Sequence, residues 1–144
     1  MLTSVVRVSD VNDFNQNLIA EFRANQGVVG GPFEGANVVL LHSTGAKTGR
    51  ARVNPLVYRR EGGDFAIFAS KGGAPTNPDW YHNLLANPRT QIEVGTETID
   101  VVARVATGDE RERIWEAQKR DAPAFAGYEE RTARAIPVVI LTPV

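Results

Sequence analysis

Apolar positions recur along the chain with two periods, and the switches between them mark out the elements. Phe14, Leu18, Ile19 and Phe22 fall at helical spacing, which predicts a helix capped by Asp10 and stopped near Gly27. Gly30-Gly31-Pro32 then breaks the chain before Asn37–Leu41, a short apolar run that predicts a buried strand. Val53–Arg60 and Phe65–Ala69 read as two strands. Their join, Glu61-Gly62-Gly63-Asp64, favours a tight hairpin because both glycines can take positive φ. A Gly- and Pro-rich loop follows over Ser70–Asp79, then a short helix over Trp80–Ala86 ended by Asn87-Pro88. Thr90–Val94 and Glu97–Val105 predict a second hairpin around Gly95. Thr107-Gly108-Asp109-Glu110 has the form of a capping box and opens a helix through about Lys119. Pro123–Arg134 predicts another helix, and Ile136–Leu141 a last buried strand.

About six strands with three or four helices result, and hairpins dominate. The strands do not alternate regularly with crossover helices, so a doubly wound parallel sheet is disfavoured. An α+β fold, mainly antiparallel, fits better: a barrel or curled sheet with helices attached. The 144 residues suit one domain over 1–144, with 1–30 as an N-terminal amphipathic helix and linker. Such a chain buries roughly two-thirds of the surface that its unfolded form exposes.

Composition removes several chemistries. The chain has no cysteine, which excludes disulfides, zinc-thiolate sites, iron-sulfur clusters and thiol nucleophiles. A net charge of -1 argues against a general nucleic-acid binder. Met1–Asn12 does not read as a signal peptide and no apolar run approaches a membrane span, so the expected location is cytoplasmic. Peripheral contact with the inner face of the membrane is the alternative to packing for the first helix, although its polar face is not rich in Lys or Arg. The mean charge hides an asymmetry. From Gly35 to Arg60 there is no Asp or Glu, while Lys47, Arg50, Arg52, Arg59 and Arg60 are cationic.

That asymmetry draws attention to Ser43–Arg52, where glycines and small hydroxylated residues let the backbone turn tightly and three cations can neutralise an anion. The segment is neither a nucleotide P-loop nor a dinucleotide fingerprint, since the required glycines are missing. A solvated surface loop is the bland alternative. A second segment, Ala69–Leu84, ends a strand in Ser-Lys-Gly-Gly, which permits close backbone approach to a ligand, and places Trp80 and Tyr81 at a helix start. Core packing is the commonest fate of such aromatics. The same holds for Trp115 and Phe125, which with Tyr128 could instead roof an apolar pocket. His42 and His82 are expected to hydrogen-bond or pack, because no acidic cluster stands at metal spacing. No serine-hydrolase elbow or distinctive carboxylate pair is present. The lack of an obvious nucleophile, base or metal centre suggests that a borrowed cofactor supplies the difficult chemistry.

Four ordered blocks carry a family resemblance: Leu40–Arg50, Arg52–Leu56, Ala69–Gly73, and Asn77–Leu84 with Ala86-Asn87-Pro88. They resemble the deazaflavin-dependent nitroreductase and quinone reductase family of actinobacteria, over most of the chain from about Phe14. The resemblance implies a split β-barrel of the FMN-binding type with flanking helices, and the reduced deazaflavin coenzyme F(420) as cofactor. It implies that Lys47 and Arg52, with the backbone around Thr48 and help from Arg50, grip the anionic tail. Val53, Asn54, Pro55 and Leu56 would line the approach of the ring. Ala69, Ser70 and Lys71 would meet the headgroup or phosphate, and Trp80, Tyr81 and Asn83 would complete the wall. Hydride would pass to a quinone-like, nitroaromatic or other conjugated small molecule, with Ser70 and Tyr128 as the candidate catalytic residues that hydrogen-bond developing oxyanion charge. Two departures stand out: Ala46 replaces a cation that many relatives carry, and of a C-terminal tyrosine cluster only Tyr128 is kept clearly. The competing readings are an FMN-binding reductase on the same barrel, a non-catalytic carrier of deazaflavin, haem-like or lipid ligands, and a small interaction module. Monomer and homodimer are both compatible with the sequence.

Overall fold

The computed structural model describes residues 8–144, with side chains from residue 14 onward and without that of Pro32. Six strands, β1 (Val38–Thr44), β2 (Ala51–Glu61), β3 (Asp64–Phe68), β4 (Arg89–Val94), β5 (Glu97–Val105) and β6 (Val138–Pro143), close into a barrel in the order β1-β2-β3-β6-β5-β4. Every neighbouring pair is antiparallel, and β4 returns to β1 through Leu40↔Glu93 and Leu41↔Ile92. This is the split-barrel arrangement, mainly antiparallel with flanking helices.

Side chains alternate across a strand, and here the alternation sorts the core into three parts. Val39 and Leu41 of β1, Phe65 and Ile67 of β3, and Val139 and Leu141 of β6 point into the barrel and pack with Ile92 and Val101. Their neighbours point outward beneath helices. Val38 and Leu40 lie under Leu18, Ile19 and Phe22 of α1 (Val8–Ala24). Ala66, Phe68, Val138 and Ile140 lie under Ile114 and Trp115 of α3 (Gly108–Asp121) and Phe125 of α4 (Ala124–Glu130). Burial on both faces explains why these three strands read as continuous apolar runs rather than alternating ones. Each large side chain removed from water in this way contributes about 1.5–3 kcal/mol. The fourth helix, α2 (Asp79–Ala86), seats against β1 and β5 and sends Trp80 and Leu84 into the interior cluster.

Several local expectations need correction. Asp10 does not cap the first helix: α1 already runs from Val8, so Asp10 lies within it, and its side chain is outside the described ones. In the β2–β3 hairpin, Glu61 pairs with Asp64 around a two-residue turn, and of the two glycines Gly62 alone takes positive φ, at 61°. The capping box at Thr107 opens α3 where expected, but the Thr107 side chain makes no cap hydrogen bond. Glu110 instead accepts both guanidinium nitrogens of Arg104, at 2.7 and 2.9 Å, a charge-assisted pair stronger than a cap bond to a neutral amide. The helix expected to reach Arg134 ends at Glu130. Pro137 disfavours helical backbone at Ile136, and the chain uncoils before it. The last strand is shifted two residues on, to Val138–Pro143.

Candidate active site

The β1–β2 connection, Gly45–Arg50, is a tight turn closed by its own backbone. Gly45 N–H donates to the Arg50 carbonyl at 2.8 Å, and Gly49 N–H to the Gly45 carbonyl at 2.9 Å. Thr48 Oγ1 accepts from Arg50 N–H at 3.2 Å. Gly49 sits at φ 69°, a left-handed conformation that strains residues with a Cβ. The turn is tied to α2 from behind. Asn83, only 7% exposed, accepts Ala46 N–H through Oδ1 at 2.9 Å and donates from Nδ2 to Ser43 Oγ at 3.3 Å.

The cations of this region fall into two groups. Lys47, Arg50 and Arg52 are exposed at the turn, and among the described residues no carboxylate lies within ion-pair distance of them. Arg59 and Arg60 stand seven or more residues further along β2, roughly 23 Å away at strand rise. Arg59 pairs with Asp121 at 2.7 Å, and Arg60 stacks 4.3 Å from the centroid of Phe65. The acid-free stretch thus divides into a turn with three exposed cations, unpaired among the described residues, and two arginines engaged by Asp121 and Phe65.

The other expected residues divide by face. Val53 packs outward with the α1 cluster, and Pro55 shares its side by alternation. Leu56 packs against the barrel interior, and Asn54 shares that side. The four therefore do not form one surface. Trp80, 5% exposed, belongs to the interior core, while Tyr81 packs at its edge and His82 meets the Tyr81 ring edge-on at 5.6 Å between centroids. A cavity of about 100 Å³ beside α2 is lined by Leu84, Leu85, Ala103, Val105 and Val139, and shares only Tyr81 with the expected site.

After β3, Ala69 is fully buried and Ser70 opens a 3-10 turn over Lys71–Gly73. Lys71 takes φ 48° and its Nζ donates to Thr76 Oγ1 at 3.3 Å. Gly73, at φ 85°, lies so close to α4 that a Cβ there would stand 2.7 Å from the Tyr128 carbonyl oxygen. Glycine is required for this approach. It brings the segments carrying Ser70 and Tyr128 together, without a hydrogen bond between the two side chains. Tyr128 itself is half-buried, packed edge-on to Phe125 at 5.2 Å. Trp115 and Phe125 fill core beneath it rather than roofing a pocket.

Residues outside the sequence expectation hold these segments. Arg134 binds four acceptors of the 69–77 loop: the carbonyls of Ala69, Ser70 and Ala74, and Asn77 Oδ1. Burial pushes its guanidinium below the ordinary arginine value. Glu93 on β4 accepts Arg23 through both oxygens, at 3.0 and 2.7 Å, and also meets His42 Nε2 at 2.7 Å. The Arg23 bond, with help from His42 and against desolvation, holds the Glu93 carboxyl below the usual range. Glu129 accepts the Trp115 indole N–H and Lys119 Nζ, which lower its carboxyl likewise. Among the described residues, no group of three or more His, Asp or Glu side chains is placed to hold a metal ion, and no helix is long and apolar enough to cross a membrane.

Residues 16–143 match the family model described as F420H(2)-dependent quinone reductase. The chain belongs to this family. An F420H(2)-dependent quinone reductase of Mycobacterium tuberculosis is 42% identical over 127 residues, 85% of each chain. A solved F420-H2 dependent reductase is 42% identical, with TM-score 0.66, over 73% of this chain and 93% of its own. A structure described as a domain-swapped dimer is 36% identical, with TM-score 0.68, over 94% of this chain and 99% of its own. Membership of the quinone reductase family makes the chain an F420H(2)-dependent oxidoreductase, in agreement with the resemblance seen in its four sequence blocks. Arg134 stood at the end of the helix expected over Pro123–Arg134, and its bonds to the 69–77 loop carry no local sequence signal.

Proposed function

We propose that this protein grips the anionic tail of F420H(2) with Lys47, Arg50 and Arg52 at the β1–β2 turn, and presents the ring to a quinone held beside the Ser70 turn. The observation that carries this reading is the trio of exposed cations without carboxylate partners among the described residues, on a turn whose backbone is fixed by Asn83. A fixed turn fits a phosphate and glutamate tail because the cations need little reordering on binding. When bound, the reduced cofactor supplies a hydride from its deazaflavin C5.

The residues of the chain do the positioning. Asn54 and Leu56 on the inner side of β2 and Tyr81 on α2 offer the ring partly apolar walls, with Trp80 supporting Tyr81's helix from within the core. Lys71 adds a further cation, on the turn that follows β3. Ser70 Oγ and the Tyr128 hydroxyl, which have no hydrogen-bond partner among the described residues, donate to the acceptor oxygen as it gains charge. Nitroaromatic and other conjugated acceptors are accommodated by the same stacking. Holding two reactants face to face removes several kcal/mol of barrier, so no resident nucleophile is needed.

Titration with F420 and, in parallel, with FMN tests the reading, followed by menadione-dependent oxidation of F420H(2). The expected result is micromolar or tighter F420 binding that Lys47→Ala weakens about tenfold or more, in a salt-dependent way. Ser70→Ala and Tyr128→Phe should lower turnover at saturating acceptor. FMN binding in preference to F420, or F420 binding without turnover, would overturn it.

A further inference from the structure

We propose that Arg134 is a positioning residue that fixes the 69–77 loop in its binding-competent form. The inference rests on the reading above, in which Ser70 and Lys71 face the cofactor and acceptor.

The loop has little to hold it. It contains two consecutive glycines, one proline and a lysine at positive φ, and its own hydrogen bonds are two tight-turn bonds, Gly73 N–H to the Ser70 carbonyl and Ala74 N–H to the Lys71 carbonyl, with the single Lys71–Thr76 contact. Fixing such backbone costs conformational entropy that the loop's own few bonds do little to offset. Arg134 crosses from beyond α4 and bridges both limbs. Nη1 donates to the Ala69 carbonyl at 3.1 Å and to Asn77 Oδ1 at 2.6 Å, Nη2 to the Ser70 carbonyl at 2.9 Å, and Nε to the Ala74 carbonyl at 3.0 Å. Four of the five donors of one planar group thus span the start and end of the loop. An ammonium, with three donors on one atom, cannot reach all four acceptors.

No carboxylate among the described residues pairs with Arg134, so its partners are neutral oxygens of the loop alone. That is the arrangement expected of a group placed to shape a loop rather than to complete an ion pair. Arg134 is anchored in turn: its own N–H donates to Thr132 Oγ1, the next strand's approach buries Ile136, and Arg111 Nη2 donates to the Ile136 carbonyl at 2.7 Å. Gly73 against Tyr128 adds a second point of attachment, so the loop is pinned from two sides.

Hydrogen exchange on the ligand-free wild type, Arg134→Lys, Arg134→Ala and the milder Asn77→Ala tests the clamp without cofactor. Faster exchange confined to residues 69–77, with barrel strands unchanged, is expected in all three variants and least in Asn77→Ala. F420 titration and steady-state kinetics on the same proteins then test positioning. The affinity for F420 should fall about tenfold in Arg134→Lys, with KM for F420H(2) raised and kcat largely retained, because the ordering is now completed at binding. Added guanidinium salt, but not methylammonium, should restore affinity to Arg134→Ala. Unchanged exchange at 69–77 would overturn the clamp, and faster exchange with unaltered F420 affinity would overturn its link to the site. A wild type that fails to bind F420 would sink the proposed function instead, a result visible before any variant is compared.

Discussion

Asn83 makes both of its hydrogen bonds to the segment that it orients, and this sets its worth apart from that of a surface amide. It accepts from Ala46 N–H and donates to the buried Ser43 hydroxyl. Asn83→Ala leaves both groups without their partner, and a buried group so stranded costs about 1–3 kcal/mol. The expected outcome is a lowered thermal midpoint together with weaker F420 binding. Asn83→Asp should recover the Ala46 bond and only part of the binding, since its charge opposes the anionic tail. A variant that melts earlier yet binds F420 as tightly as the wild type would place Asn83 in the core alone. The family resemblance implies that Asn83 belongs to the cofactor wall; in the fold its side chain also bonds Ala46 and Ser43, on the segment that carries Lys47. Sequence spacing locates such a residue near a site, but whether it touches ligand or backbone depends on contacts between residues 37 positions apart.

At the scale of elements, α1 is attached to the barrel by its apolar face and by one polar latch. Arg23 and His42 converge on Glu93, and Gly27 approaches Gly95 so closely that a Cβ on it would stand 2.8 Å from the Gly95 Cα. Because the folded Glu93 carboxyl lies below its ordinary value, its contribution is fully present above about pH 4.3 and is lost as the pH falls through the lower folded value. Denaturant unfolding of wild type and Glu93→Gln should therefore differ by about 1–2 kcal/mol at neutral pH, and the gap should close on acidification below about pH 4. A gap that is independent of pH would exclude the latch. Most elements were legible from the chain. Two-sided burial gives β1, β3 and β6 their apolar runs Val38–Leu41, Phe65–Phe68 and Val138–Leu141, and Gly62 and Gly95 mark the two tight hairpins. Two of the misreadings share a feature. Arg104 takes Glu110 from the cap, and Arg134 bonds the 69–77 loop rather than lying in a helix, so in both a long side chain bonds across sequence.

For the whole molecule, the order β1-β2-β3-β6-β5-β4 means that the β1–β3 and β4–β5 halves meet directly through β1–β4 on one side and through β6 on the other. Leu141 of β6 is fully buried in the interior cluster, opposite Phe65 on one side and Ala103 on the other. Leu141→Ala should cost about 2–5 kcal/mol and lower the near- and far-ultraviolet circular dichroism transitions together. Separate transitions would show that the halves melt independently. Barrel closure was only partly legible, because hairpins are written in local turns whereas the β3–β6 and β1–β4 pairings are not. The order of the strands also bears on how the protein is made. While β6 is still inside the ribosome, β3 and β5 each present an unpaired edge and a row of apolar side chains, and no amount of waiting lets the emerging chain seal itself. Synthesis proceeds at roughly 5–20 residues per second, so the nascent chain spends seconds with open edges that a neighbouring chain or a chaperone can reach before its own last strand does.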